Sequence, residues 1–502
     1  MHTPHVRIAV IGAGFAGLAV GHRLRRHAGI EDFVILERGH DVGGTWRDNT
    51  YPGAACDVPS NLYCFSYAPN PSWSRAFSPG PEIQEYLRRC ARDFGLTPHL
   101  RLGHEVEAAR WDHDAARWRL TTSRGPYTAD VVIAGAGALT EPVVPRLPGL
   151  DDFGGHTFHS ARWDHDHDLT GKHVAVIGTG ASSVQFVPRV QPRVSRLDLY
   201  QRTAPWIMPR NDRPLPGWQQ NLYRRIPAAQ SAVRAGLYWR REATLGAFLG
   251  PWNLFGDLAS KASRAHLHAQ VADPELRARL SPDYRFGCKR VLLSDDYYPA
   301  LTRPNVDVVT SSIRGVRPGG IVTVDGAEHK ADTIVFGTGF RATRPLIAEL
   351  VTGRDGRTLS EVWSGGMVAH RGAMVAGFPN LFLIVGPGTG LGHSSMTVVI
   401  EAQARYAVDA VRQMRDHDIA DVEVLRETQD TYNAWLDDRM RRTVWTTGGC
   451  TSWYMDNRNG RVTALWPGSL SRFRRMNRRF TPAGHRARRR RQVECSSSGE
   501  CG

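Results

Sequence analysis

Two glycine patterns in this chain have the spacing needed to hold a pyrophosphate. Gly12, Gly14 and Gly17 close the run RIAVIGAGFAG at 7–17. The first glycine makes a tight turn, the second lets backbone approach the phosphates, and the third lets a helix pack against the strand. The phosphates would then rest on the free N–H groups of the helix start. A second apolar run, DFVILE at 32–37, ends in Glu37, placed to meet ribose hydroxyls and to repel a 2′-phosphate. This first site therefore suits FAD or NAD. The run HVAVIGTGASS at 173–183 repeats the pattern with Gly178 and Gly180, then Ser182, and Ser183 in the third glycine's place. Its partner run, LDLYQRT at 197–203, ends in Gln201, Arg202 and Thr203 in place of an acid. A guanidinium without a carboxylate is what a 2′-phosphate needs, so the second site favours NADPH over NADH. A flavin site and an NADPH site in one chain describe a flavoprotein oxidoreductase fed by hydride.

Both patterns require a buried parallel strand turning into a helix, and the two copies predict an α/β chain with two Rossmann-like dinucleotide-binding domains. Residues 1–152 read as the first part of an FAD-binding domain, rich in short strands and turns over 100–150. Residues 153–165 read as an interdomain linker, and 166–340 as an NADPH-binding domain with a helical insertion at about 213–300. The strand-and-turn run ADTIVFGTGF at 331–340 is expected to carry the chain back, so that 341–477 completes the first domain. From 478 to 502 the Arg-rich, then Ser/Gly-rich composition predicts a disordered basic tail.

Composition narrows the class. The chain has 502 residues, 41% of them hydrophobic, enough for a large buried core. Its formal charge of +15 is concentrated toward HRARRRRQ at 485–492, and no zinc-finger or RNA-binding aromatic pattern accompanies it, so nucleic acid is set aside. No run of about twenty apolar residues occurs, which sets aside a membrane span. The seven cysteines form no CxxC pair and no metal-type spacing, which points to a reducing cytoplasm and to no bound metal.

The stretch FGGHTFHSARWD at 153–164 carries a closer resemblance. Phe153, Gly155, His159, Trp163 and Asp164 match the fingerprint FxGxxxHxxxW(P/D), just before the second glycine pattern. On these residues the chain resembles the type I Baeyer–Villiger monooxygenases. Further segments are similar. In GGTWRDNTYPGAACDVPSNLY at 43–63, the resemblance implies that Thr45, Trp46, Asp57 and Tyr63 line the flavin region. It implies that Val106, in EVEAARWD at 105–112, meets the FAD adenine. The segments CKRVLLSDDYYP at 288–299, FPNLFLIVGPGTGLGHSS at 378–395 and CTSWYMD at 450–456 extend the likeness, with Trp453 expected to cover bound NADP.

What the resemblance implies is an oxygen insertion. NADPH reduces FAD, a C4a-peroxyflavin attacks a ketone, and an ester or lactone leaves. A peroxide kept ionised calls for a fixed cation that never donates its proton, and guanidinium is that group. Arg290 is implied by the family's Lys-Arg pair, Asp57 as the carboxylate that orients it, and Lys289 as a contact to the nicotinamide nucleotide. His159 would couple domain rotation to cofactor state without acid–base work. The alternative is an N- or S-oxygenating flavin monooxygenase; a disulfide reductase would need a close cysteine pair, which Cys56 and Cys64 do not make. Expected partners are a small ketone and O2, with the aromatics of 204–290 and 440–455 shaping an apolar pocket.

Overall fold

The computed structural model describes residues 3–249 and 254–490. Two sheets organise it. In the first, Tyr127–Ala134, His5–Ile11, Phe33–Glu37 and Leu100–Leu102 run parallel, in that order. Val106–Asp112 and Arg117–Thr122 extend this sheet as an antiparallel meander off Tyr127–Ala134. The parallel strands read as near-continuous apolar runs, His5–Ile11 being HVRIAVI, because both of their faces are buried, one under helices and the other largely under the meander. Leu381–Leu383 pairs parallel with Tyr127–Ala134, and the 21-residue helix Met396–Asp416 packs on the first helix, Phe15–Arg23. Late sequence thus completes an early domain.

The second sheet is wholly parallel, in the order Val306–Val309, Arg196–Tyr200, His173–Ile177, Thr333–Phe336, His156–His159. The fold is therefore the expected α/β pair of nucleotide-binding units. The two units repeat one backbone device. Gly12 has φ +94°, and a Cβ there would sit 2.7 Å from the Gly135 carbonyl oxygen; Gly178 has φ +107°, with its Cβ 2.6 Å from the Gly337 oxygen. Each turn glycine lies against a glycine that ends the neighbouring strand, so both turns need the residue without a side chain.

Two expectations are corrected. The 153–165 stretch is not a free linker, because His156–His159 is the edge strand of the second sheet, with His159 in register with Phe336. Alternating Phe158 inward gives that strand a core contact that a loop would lack. The run at 331–340 forms an inner strand of the second sheet, Thr333–Phe336, within the 166–340 unit as read. The basic tail is ordered at its start: His485–Arg489 pairs antiparallel with Ile419–Val424. Its arginines meet carboxylates, Arg486 with Glu423 at 2.9 Å, Arg488 with Asp421 at 2.6 Å and Arg490 with Asp130 at 2.8 Å. Alternation puts these charges at one spacing along the strand, which composition alone reads as repulsion. Residues 491–502, with Cys495 and Cys501, lie outside the described residues. The insertion is helical as expected, with Gly217–Arg225, Pro227–Ala243, Leu254–Gln270 and Pro274–Arg279. Among the described residues no helix is long and apolar enough to cross a membrane.

Candidate active site

Both glycine turns open onto one cavity of about 1160 Å³ between the two sheets. From the first unit it is lined by Gly12, Gly14, Glu37 and Val106, and by Thr45, Trp46, Asp57 and Tyr63 from the segment after the second strand. From the second unit come Gly178, Gly180, Ser182, Arg202 and Thr203, joined by Lys289, Arg290 and Trp453. Two residues singled out in the sequence do not reach it. Gly17 packs beneath the turn, where a Cβ would lie 1.9 Å from the Gly12 carbonyl oxygen. Ser183, expected among the cofactor contacts, is fully buried and turned toward Gly337, so it takes the packing place of a third glycine.

The cavity fits dinucleotides on its own geometry. A Cβ at Gly14 would meet nothing closer than the Gly44 Cα at 3.7 Å, so the space beside that turn is free for a phosphate group. Glu37 stands at the end of its strand with both oxygens engaged, Oε2 by the Ala13 N–H at 2.8 Å and Oε1 by Gly39 N–H at 2.8 Å and Arg47 at 2.6 Å. Trp46 donates its indole N–H to the Tyr63 hydroxyl at 3.0 Å, and Tyr63 meets Phe15 edge to face at 5.2 Å. On the other side Arg202 and Lys289 bring two cations to one wall. Burial lowers the Lys289 ammonium from its usual range, and Arg202 beside it lowers it further. Such a pair gains from an arriving phosphate.

The centre of the cavity holds an ion pair from residues 233 positions apart. Arg290 donates Nε and Nη2 to Asp57 Oδ2, at 2.9 and 2.6 Å. Burial would raise the Asp57 carboxyl, but Arg290, and after it Arg241, hold it below its ordinary value. Asp57 in turn raises the Arg290 guanidinium against the opposing effect of burial. The pair is therefore ionised throughout the neutral range. Side-chain exposure of 29% for Arg290 and 24% for Asp57 is what leaves both on the cavity wall.

Sequence reasoning missed two neighbours of this pair and one disulfide. Arg241 comes from the insertion helix, and its Nη2 lies 3.5 Å from the Asp57 carbonyl oxygen. Tyr454 is 1% exposed, with its buried hydroxyl next to Arg290 and lacking a partner of hydrogen-bond geometry. Cys288 and Cys450, 162 residues apart, form a disulfide with Cα atoms separated by 6.2 Å. The reading of the cysteines, which looked for close spacing, did not find this bridge, because the fold brings distant loops together. The bridge ties the residue before Lys289 to the loop carrying Trp453. Neither of these two cysteines lines the cavity, and Cys56, which does, is a free thiol that burial pushes up, so among the described residues no cysteine pair faces the cavity. Tyr297 and Tyr298 belong to the second unit's core, and of the aromatics expected to shape the pocket, Trp206, Phe286 and Trp445 pack on one another away from it.

The fingerprint stretch is structural in its contacts. His159 accepts the Ala161 N–H at 3.0 Å through Nδ1, and burial brings its pKa down to about 4. His370 is buried likewise and brought down to about 3. Both rings are neutral in the folded protein. Below about pH 6.5 the unfolded chain binds protons at these rings that the folded chain does not, so stability is lost as pH falls toward 4. The thermal midpoint is expected to drop between pH 7 and 5, and less so in His159→Gln; midpoints measured across that window check it.

Comparison with known proteins agrees with this geometry. The sequence model of the flavin-binding monooxygenase-like family matches residues 5–232. A Baeyer–Villiger monooxygenase of Streptomyces coelicolor is 53% identical over 489 residues, covering 97% of this chain and 93% of that protein. The crystal structure of cyclohexanone monooxygenase from Rhodococcus sp. Phi1 bound to NADP+ superposes with TM-score 0.86 at 27% identity, covering 97% of this chain and 100% of that one. The OTEMO complex with FAD and NADP superposes with TM-score 0.86 at 25% identity and the same coverage.

Proposed function

The chain belongs to the Baeyer–Villiger monooxygenases, and from that premise we infer that its Arg290–Asp57 pair is the charge centre of a ketone-oxygenating site. It is an FAD- and NADPH-dependent enzyme that inserts one oxygen atom of O2 beside a ketone carbonyl to give an ester or lactone. FAD when bound supplies oxygen activation, and NADPH supplies the hydride that makes it possible. The rest is the work of this chain's residues.

Gly12, Gly14 and the helix start behind them hold the FAD pyrophosphate, Glu37 its ribose, and Val106 its adenine edge. Thr45, Trp46 and Tyr63 flank the flavin. Gly178, Gly180 and Ser182 hold the NADPH pyrophosphate, while Arg202, Thr203 and Lys289 take the 2′-phosphate side. Trp453, 46% exposed here, closes over the nucleotide and keeps water out. With flavin and ketone bound, Arg290 would present a fixed positive charge at the cavity centre to oxygen atoms that gain negative charge in the reaction. Its charge does not depend on pH, so it stabilises them without giving up a proton. Asp57 fixes the plane of the guanidinium and offsets the cost of burying it. The observation that carries this reading is that pair, joined at 2.6 Å on the wall of the cavity onto which both nucleotide turns open.

The test is incubation of the purified yellow protein with NADPH, air and a panel of cyclic, linear and aryl ketones, with thioethers alongside. Esters or lactones support the reading; sulfoxides with no ester support the heteroatom-oxygenating alternative. Coenzyme choice is tested separately. Arg202→Ala is expected to weaken NADPH by about tenfold or more, as loss of a charge-assisted phosphate contact does, and NADH hardly at all. Initial rates with the two coenzymes decide it, and an equal loss with both would remove Arg202 from the 2′-phosphate. A cytoplasmic setting is part of the proposal.

A further inference from the structure

A second guanidinium stands behind the Arg290–Asp57 pair, outside the cavity wall. The Pro227–Ala243 helix carries Arg241 near its end, and Nη2 donates to the Asp57 carbonyl oxygen at 3.5 Å. The Arg241 Nε is buried with no hydrogen-bond partner. The helix end is fixed by the next residue: Glu242 accepts Leu470 N–H at 3.0 Å and Ser471 N–H at 3.3 Å, and meets His393 Nε2 at 3.1 Å. The placement of Arg241 is thus built into the packing of the insertion on the first domain.

Charge counting shows what it does. Arg290 uses only Oδ2 of Asp57 for both of its hydrogen bonds. With two groups alone the centre is neutral, because the carboxylate cancels the cation that the reaction needs. With Arg241 it carries a net positive charge: Arg290 holds the carboxylate, and the second cation rests on the backbone carbonyl of the same residue. Burial lowers the Arg241 guanidinium from its usual value and Asp57 opposes that shift, so each of these two groups supports the ionised form of the other.

From these contacts we propose that Arg241 is a positioning residue that shares Asp57 with Arg290 and leaves the Arg290 charge available to oxygen in the cavity. This rests on the assignment of Arg290 above. Arg241 touches neither substrate nor coenzyme; it acts through Asp57. Its loss removes net charge from the centre, and the expected sign is that oxygen activated by NADPH escapes as hydrogen peroxide in place of ester.

The experiment compares the parent with Arg241→Met, Arg241→Lys and Asp57→Asn, and with the Arg241→Met/Asp57→Asn double variant. Peroxide and ester formed per NADPH are measured, together with the thermal midpoint of each purified protein. Arg241→Met is expected to raise the ratio of peroxide to ester by about tenfold, the effect of one charge a few ångströms away in a partly screened site, and Lys is expected to restore most of the coupling. The midpoints are expected to be non-additive, with removal of Arg241 costing less once Asp57 is Asn. An unchanged ratio in Arg241→Met, or no rescue by Lys, overturns the proposal, as does strict additivity of the midpoints. If Arg241→Met does not fold, Arg241→Gln takes its place in the same comparison. Should the parent make no ester from any ketone, the proposed function fails, and the midpoint cycle, which needs no turnover, still decides whether Arg241 and Asp57 are coupled.

Discussion

Arg290→Ala is expected to abolish ester formation while NADPH is still consumed and oxygen leaves as hydrogen peroxide. The guanidinium is a fixed charge on the described cavity wall, held in place by two hydrogen bonds to one oxygen of Asp57. Its removal takes away the field at the reacting oxygens and leaves the Asp57 carboxylate facing the same space, with the Arg241 charge behind it. Losing one preorganised donor at a developing oxyanion costs a factor of about 10²–10³, and here the net positive charge of the centre is lost with it. The glycine turns and the Arg202 side are untouched, so hydride delivery continues. Arg290→Lys keeps a cation but loses the planar fork, and is expected to recover only a small part of the ester yield. Ester, peroxide and NADPH measured in one reaction check this; normal ester yield in Arg290→Ala would move the charge centre elsewhere.

The second large effect separates two glycines three residues apart. A methyl group at Gly17 would lie 1.9 Å from the Gly12 carbonyl oxygen, so Gly17→Ala must displace backbone. It is expected to cost about 1–3 kcal/mol of stability or more, with or without FAD. A methyl at Gly14 finds the Gly44 Cα at 3.7 Å, an ordinary contact, and intrudes only on the space assigned to the pyrophosphate. Gly14→Ala is therefore expected to match the flavin-free parent in thermal midpoint and to bind FAD at least about a hundredfold more weakly, or roughly 2.7 kcal/mol. Flavin titration and thermal midpoints on both variants check this. A fully yellow Gly14→Ala protein would place the pyrophosphate elsewhere.

What the sequence makes legible follows from how local each feature is. The glycine turns, the β-branched strands before them and the acid-to-arginine change from Glu37 to Arg202 are encoded within a few residues, and each stands where local pattern puts it. The Arg290–Asp57 pair is not local; only likeness to a family joins positions 57 and 290, and the fold then brings them within 2.6 Å. Arg241 carried no signal at all, being one of several arginines on an amphipathic helix until packing turns it toward Asp57. The same holds for Cys288 and Cys450, whose spacing of 162 residues matches no local motif. The edge strand His156–His159 was hidden for a different reason: its polar alternation resembles a loop, and a single inward Phe158 anchors it.

The central claim is that one cavity joins an FAD site, an NADPH site and a fixed cation into a centre that places an atom of O2 into a ketone. Turnover under ¹⁸O2 with NADPH and a ketone panel, followed by mass spectrometry of the product, tests it most directly. The account requires an ester or lactone carrying one labelled oxygen atom for each NADPH consumed in a coupled reaction. Product lacking the label, or NADPH oxidised entirely to peroxide with every ketone offered, would contradict it.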